Sequence, residues 1–222
     1  MYKYSYILVI VLSLLFSCKI YSSELDQQDT IKATVADNQD STIVTADENQ
    51  DSTSLLPNKF LFTQKLLWGK KGLMRNFDSF KLSTEARDKE LNIRSKFLVA
   101  HQILAGGSLV GMVGLGITGQ LLYKGNNTVK TIHEADAAYT NITYFSALAL
   151  ALFTPPPMKD RPKGMSKLKV HKILSLVHLA SMITTDVLAG MVEDNPSIKP
   201  FHRASAITAF GSLLIATAVI KL

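Results

Sequence analysis

The residues of this 222-residue chain whose type and spacing suit them to chemistry are five histidines, His101, His133, His171, His178 and His202. All of them fall in, or at the mouth of, long apolar runs, and none lies in the first ninety-five residues. Neutral imidazole is a strong ligand for transition metals, and an ionisable group placed in an apolar run costs free energy unless it has work or a partner. Measured to the far end of its own run, the distance is 22 residues from His101 to Tyr123, 20 from His133 to Phe153, 21 from His171 to Val192 and 20 from His202 to Leu222. Four histidines therefore sit at matching depth, each near the N-terminal mouth of its run. His178 lies seven residues beyond His171 and breaks the pattern.

If successive runs are antiparallel helices, His101 and His171 share one face of the layer they cross, and His133 and His202 share the other. Two imidazoles at one level on different helices suit the two axial positions of a haem iron. The spacing thus predicts two b-type haem sites, one held by His101 and His171, the other by His133 and His202. Taken singly, each histidine has a simpler reading as an interfacial polar tip or a hydrogen-bonded bundle residue. His178 is either an alternative ligand or a hydrogen-bond donor to a propionate or a helix carbonyl. Asp186, deep in the third run, is expected to be neutral or paired, with proton handling as its functional reading.

The elements that must position these side chains are four apolar segments, Phe97 to Tyr123, Ile132 to Phe153, Val170 to Val192 and His202 to Leu222. Each is about twenty residues long, the length a helix needs to cross a hydrocarbon core of roughly 30 Å. Turn-forming residues separate them: Gly125-Asn126-Asn127, then Pro155-Pro156-Pro157 with Pro162 and Gly164, then Asn195-Pro196 with Pro200. The expected fold is all-α, with a transmembrane four-helix bundle over 97–222. The first run is rich in glycine, and Gly107 and Gly111 form a small-xxx-small pair suited to close helix packing.

Ahead of the bundle the composition changes three times. Residues 1–23 read as an export signal with an apolar stretch from Ile7 to Ser17. Its end, Leu15-Phe16-Ser17-Cys18, fits either a lipobox that places a lipid on Cys18 or a signal peptide cut near Ser22 or Ser23. Residues 24–54 carry a tandem repeat, TVADNQDST at 34–42 and TADENQDST at 45–53, and are too polar to offset their ordering entropy, which predicts a disordered tether. Residues 55–96 interleave Phe60, Phe62, Leu66, Trp68, Phe77 and Phe80 with Lys65, Lys70, Lys71, Arg75 and Lys81. This amphipathic juxtamembrane segment is suited either to the membrane surface or to packing on the end of the bundle. Ser83 is placed to cap the helix that follows, with Glu85 in its first turn.

Composition narrows the function classes. A single cysteine rules out an internal disulfide and a cysteine metal cluster. The formal charge of +6 comes largely from Lys and Arg flanking apolar runs, so it suits membrane anchoring and gives no reason to expect nucleic acid. The chain has no Gly-x-Ser-x-Gly elbow, no phosphate-binding glycine loop and no His-Glu-x-x-His helix. An export signal puts the loop from Met158 to Lys169 outside, whereas its Lys159, Arg161, Lys163, Lys167 and Lys169 favour the cytoplasm. The pairing of histidines by face holds in either orientation.

The pieces VAHQILAGGSLVGM around His101, VKTIHEADAAY around His133, LKVHKILSLVHLA around His171 and IKPFHRASAITAFGSLLIATAV around His202 resemble the cytochrome b561 family of transmembrane electron carriers. So do the spacings of 32, 38 and 31 residues between these histidines. The resemblance covers residues 97–222. It implies a four-helix core with two haem b groups ligated between alternate helices, a role as a transmembrane oxidoreductase or electron carrier, and a multi-pass location, here the bacterial inner membrane. Members of that family usually have six helices, with one on each side of the core, and no match to their ascorbate-contacting residues is present. The expected partners are membrane lipid and an electron donor and acceptor of unknown identity, with a homodimer or partner subunit open. The rival reading is a haem-free membrane scaffold or anchoring subunit; a third is a proton-coupled carrier using Asp186 and His178.

Overall fold

The computed structural model describes residues 55–57, 61–158 and 165–221. The expected signal with Cys18, the polar tether over 24–54, and Lys159, Arg161 and Lys163 of the basic loop lie outside the described residues. Among the described residues five α-helices follow one another: α1 (Phe62–Trp68), α2 (Thr84–Tyr123), α3 (Lys130–Phe153), α4 (Lys167–Met191) and α5 (Lys199–Lys221). Short 3-10 turns at Leu73–Asn76 and Asp78–Phe80 join α1 to α2, and others at Asn127–Val129 and Pro196–Ile198 lead into α3 and α5. Among the described residues there is no strand.

Three of these helices, α2, α4 and α5 with its leading turn, are long and apolar enough to cross a membrane. The second expected span, α3, has the length, with 24 residues, but its first half carries Lys130, Glu134, Asp136 and Asn141 and falls short in apolar content. At 40 residues α2 is longer than a span requires, because Ser83 Oγ accepts the Ala86 N–H at 3.1 Å and starts the helix well before its apolar part. At about 1.5 Å per residue α2 extends roughly 60 Å, twice the thickness of a hydrocarbon core.

The chain divides into two compact units, Met1–Gly106 with Phe145–Asp160, and Gly107–Tyr144 with Arg161–Leu222. The first is organised by the end of α3. Pro155, Pro156 and Pro157 have no N–H, so the carbonyls of the last helical turn lose the donors a continuing helix would provide. Side chains from α1 replace them. Thr63 Oγ1 donates to the Leu152 carbonyl at 2.7 Å, Trp68 Nε1 to Phe153 at 2.9 Å and Gln64 Nε2 to Thr154 at 3.0 Å. The proline carbonyls are met from α2, where Arg94 donates to Pro155 at 2.6 Å and Arg87 to Pro156 at 3.0 Å. Arg87 and Glu90, one turn apart on α2, are fully buried and paired. Arg75 is the second partner of Glu90 and also donates to the carbonyls of Trp68 at 2.5 Å and Phe80 at 2.7 Å. The Trp68 ring meets Phe80 edge-on, with centroids 5.6 Å apart.

In the second unit α2 ends in a Schellman turn. Asn126 N–H reaches the Leu121 carbonyl at 3.0 Å and Gly125 N–H the Leu122 carbonyl at 2.9 Å, with Gly125 at φ +90°, a conformation that side chains resist. Asn126 then accepts from the Thr128 N–H and hydroxyl, fixing the turn into α3. Asn195 repeats the device with Ser197 ahead of α5. Met112 of α2, Tyr144 of α3, Met182 of α4 and Ala209 and Leu213 of α5 form the buried apolar cluster of this unit. A side chain at Gly111 would run into Thr140 on α3, so glycine is what allows α2 and α3 to approach so closely there.

Candidate functional site

The histidines are held in one manner. His101 Nδ1 is 2.9 Å from the Ala147 carbonyl, His171 Nδ1 is 2.9 Å from the Ala216 carbonyl, and His202 Nδ1 is 3.0 Å from the Thr185 carbonyl. A carbonyl can only accept, so in each case Nδ1 carries the proton and Nε2 is the basic nitrogen. His133 Nδ1 lies 2.8 Å from Thr118 Oγ1, which is also 3.0 Å from the Gly114 carbonyl. A hydroxyl and an imidazole nitrogen can each donate or accept, so this bond orients the His133 ring without fixing its tautomer. Every one of these bonds joins the two helices of a single hairpin, α2 with α3 or α4 with α5. His133, His171 and His202 fall in the first two turns of their helices, while His101 lies well inside α2 because that helix begins at Thr84.

His133 and His202 both belong to the second unit. A side chain at Gly119 would come within 3.2 Å of the His133 ring, so the glycine leaves that imidazole its position. His101 belongs to the first unit and His171 to the second.

The hairpins also share a sequence pattern that the reading of the sequence above missed. Asn126-Asn127-Thr128-Val129-Lys130-Thr131-Ile132-His133 matches Asn195-Pro196-Ser197-Ile198-Lys199-Pro200-Phe201-His202 in the form Asn, any residue, hydroxyl, β-branched, Lys, any residue, apolar, His. Asn126 and Asn195, Lys130 and Lys199, His133 and His202, and the acceptors Ala147 and Ala216 are each 69 residues apart. His101 and His171 are 70 apart. Self-comparison at that offset is the signal that finds it.

A second polar group occupies the same unit. Asn141 Nδ2 donates to Asp186 Oδ1 at 3.1 Å. Tyr144 hydroxyl and His178 Nδ1 share a bond of 2.6 Å and their rings meet edge-on, which assigns buried His178 a hydrogen-bonding partner on α3. Thr185 Oγ1 donates to Ser205 Oγ at 2.9 Å beside the carbonyl that holds His202.

Among the described residues no group of three or more His, Cys, Asp or Glu is arranged to hold a bare metal ion. A haem needs only two axial nitrogens, since the macrocycle supplies the other four. Metal-bound histidines characteristically donate their second N–H to a carbonyl or carboxylate, which orients the ring and raises its basicity, and His101, His171 and His202 each have a carbonyl in that position. No family model, no curated protein and no solved structure matches the chain.

Proposed function

We propose that the chain is a b-type di-haem membrane protein that carries electrons across the bilayer in the manner of the cytochrome b561 family, built on a four-helix bundle formed by α2 to α5. One observation carries the reading: four histidines each place Nδ1 within hydrogen-bond distance of an oxygen on the neighbouring helix, and in three of them that oxygen is a carbonyl, which leaves Nε2 as the basic nitrogen. His101 and His171 are assigned to one haem, His133 and His202 to the other. Haem bound there would supply one-electron redox chemistry. The chain's own part is to fix ring orientation through the Nδ1 bonds and to surround the ligands with apolar helix. The location that follows is a multi-pass one, in the bacterial inner membrane.

A haem-free scaffold or anchoring subunit is the second reading, and the same bonds favour it, since an imidazole that staples two helices stabilises a hairpin without any cofactor. The two are separated by the reduced-minus-oxidised visible spectrum of protein purified from haem-replete membranes. The di-haem reading expects b-type bands, with His101→Ala or His171→Ala removing one haem and sparing the other. Absence of bands from folded protein leaves the scaffold reading.

A further inference from the structure

The residues between α1 and the start of α2 hold an arrangement that electron transfer leaves unused. α1 is fastened by one face, through Gln64 and Trp68, which are buried and bonded to the end of α3. Positions 62 and 66 lie on the opposite side of the helix from 64 and 68. There Phe62 is 79% exposed and Leu66 51%, with Lys65 beside them and also exposed. The turns that follow leave Leu73 and Phe77 exposed, together with Lys70 and Lys71. Large apolar side chains so exposed, in a segment held firmly by buried hydrogen bonds, are stable only if something apolar covers them.

The level of the segment indicates what that is. It is bonded to the carbonyls at the end of α3 and, through Arg75, to Glu90 of α2. Glu90 precedes the apolar stretch that begins at Phe97, and α2 exceeds a bilayer core in length. The segment is thereby placed where hydrocarbon gives way to head groups. Aromatic and leucine side chains among lysines suit that zone, with the apolar groups entering the acyl boundary and the ammonium groups meeting phosphates.

The geometry points to residues 61–81 as an interfacial anchor that inserts Phe62, Leu66 and Phe77 into the head-group region and binds an anionic lipid surface through Lys65, Lys70 and Lys71. This rests on the membrane reading but not on the haems. The test uses the full chain with Cys18→Ser, carrying Phe62→Cys or, separately, Phe77→Cys, labelled with a thiol-reactive bimane. The protein is reconstituted in vesicles of equal phosphatidylcholine and phosphatidylglycerol. Lipid spin-labelled near the acyl carbonyl should quench both probes, and aqueous iodide should not. Vesicles of phosphatidylcholine alone, or the pair Lys70→Glu and Lys71→Glu, should lower the quenching at least twofold. Probes open to iodide and untouched by the spin label would overturn the inference and assign the face to a protein partner. Quenching indifferent to anionic lipid and to the lysines would overturn it as well. Flotation of the same protein with the vesicles reports the membrane reading separately, and the visible spectrum reports the haems.

Discussion

The chemistry of an imidazole is decided by the atom bonded to its far nitrogen. Thr118 is the only side chain among the four Nδ1 partners, which makes His133 the histidine whose support can be changed by substitution. Thr118→Val keeps the shape and removes the hydroxyl, so His133 loses the bond that orients its ring. Loss of such an outer partner typically lowers metal affinity about 10- to 100-fold. The expected outcome is loss or easier extraction of the haem assigned to His133 and His202, read as a fall in b-type absorbance per protein, with Thr118→Ser restoring it. Unchanged haem retention in the valine variant would count against His133 as a ligand.

At the level of elements, the junction of α1, α2 and the end of α3 is a set of donors matched to orphaned carbonyls. Glu90 is the shared carboxylate partner of two guanidinium groups there, Arg75 and Arg87, and both Glu90 and Arg87 are wholly buried. Glu90→Gln would leave that charge uncompensated, and breaking a buried pair from one side costs about 3–5 kcal/mol. A marked drop in the unfolding midpoint in detergent is expected, together with faster proteolysis between α1 and α2. Replacing Asp78 of the exposed Lys81 pair should change neither.

The ion pair of Lys130 with Glu193 behaves differently because it is exposed. Lys130 holds the Glu193 carboxyl below the usual carboxylate range, and Glu193 raises the Lys130 ammonium above the usual amine range. A lowered acid contributes stability above its unfolded pKa and loses it as pH falls through the folded value. A raised base contributes below its unfolded pKa and loses it as pH rises through the folded value. The small stabilisation of wild type over Glu193→Gln should accordingly be constant near neutrality, vanish in strong acid and strong alkali, and shrink with added salt. Melting curves of both proteins across pH check this.

For the whole molecule, the question is whether α3 crosses the bilayer. With four crossings, the connection after α2 and the connection after α4 lie on one side and the connection after α3 on the other. Single cysteines in a Cys18→Ser background at the exposed positions Lys124, Asp194 and Met165 test this with a membrane-impermeant thiol reagent. Lys124→Cys and Asp194→Cys should label from one side and Met165→Cys from the other. Labelling of Lys124→Cys and Met165→Cys from a common side would remove α3 from the spans, and with it the face shared by His133 and His202.

Much of this was legible in the chain itself. Apolar runs, their breakers and the Ser83 cap locate α2 to α5, because helix length, proline and glycine act locally. The place of His133, His171 and His202 in the first turns of their helices is readable for the same reason. What only the tertiary structure decided lies in contacts between residues far apart in sequence. The Nδ1 acceptors are backbone carbonyls at Ala147, Thr185 and Ala216, and a carbonyl has no residue type by which to recognise it. Likewise the triple proline reads as a break in the sequence, whereas its physical consequence, carbonyls in need of donors, appears only where Thr63, Gln64, Trp68, Arg87 and Arg94 meet them. Local composition sets where helices begin and end; which polar atom answers which is settled by packing, since a buried donor or acceptor left without a partner costs free energy once water is excluded.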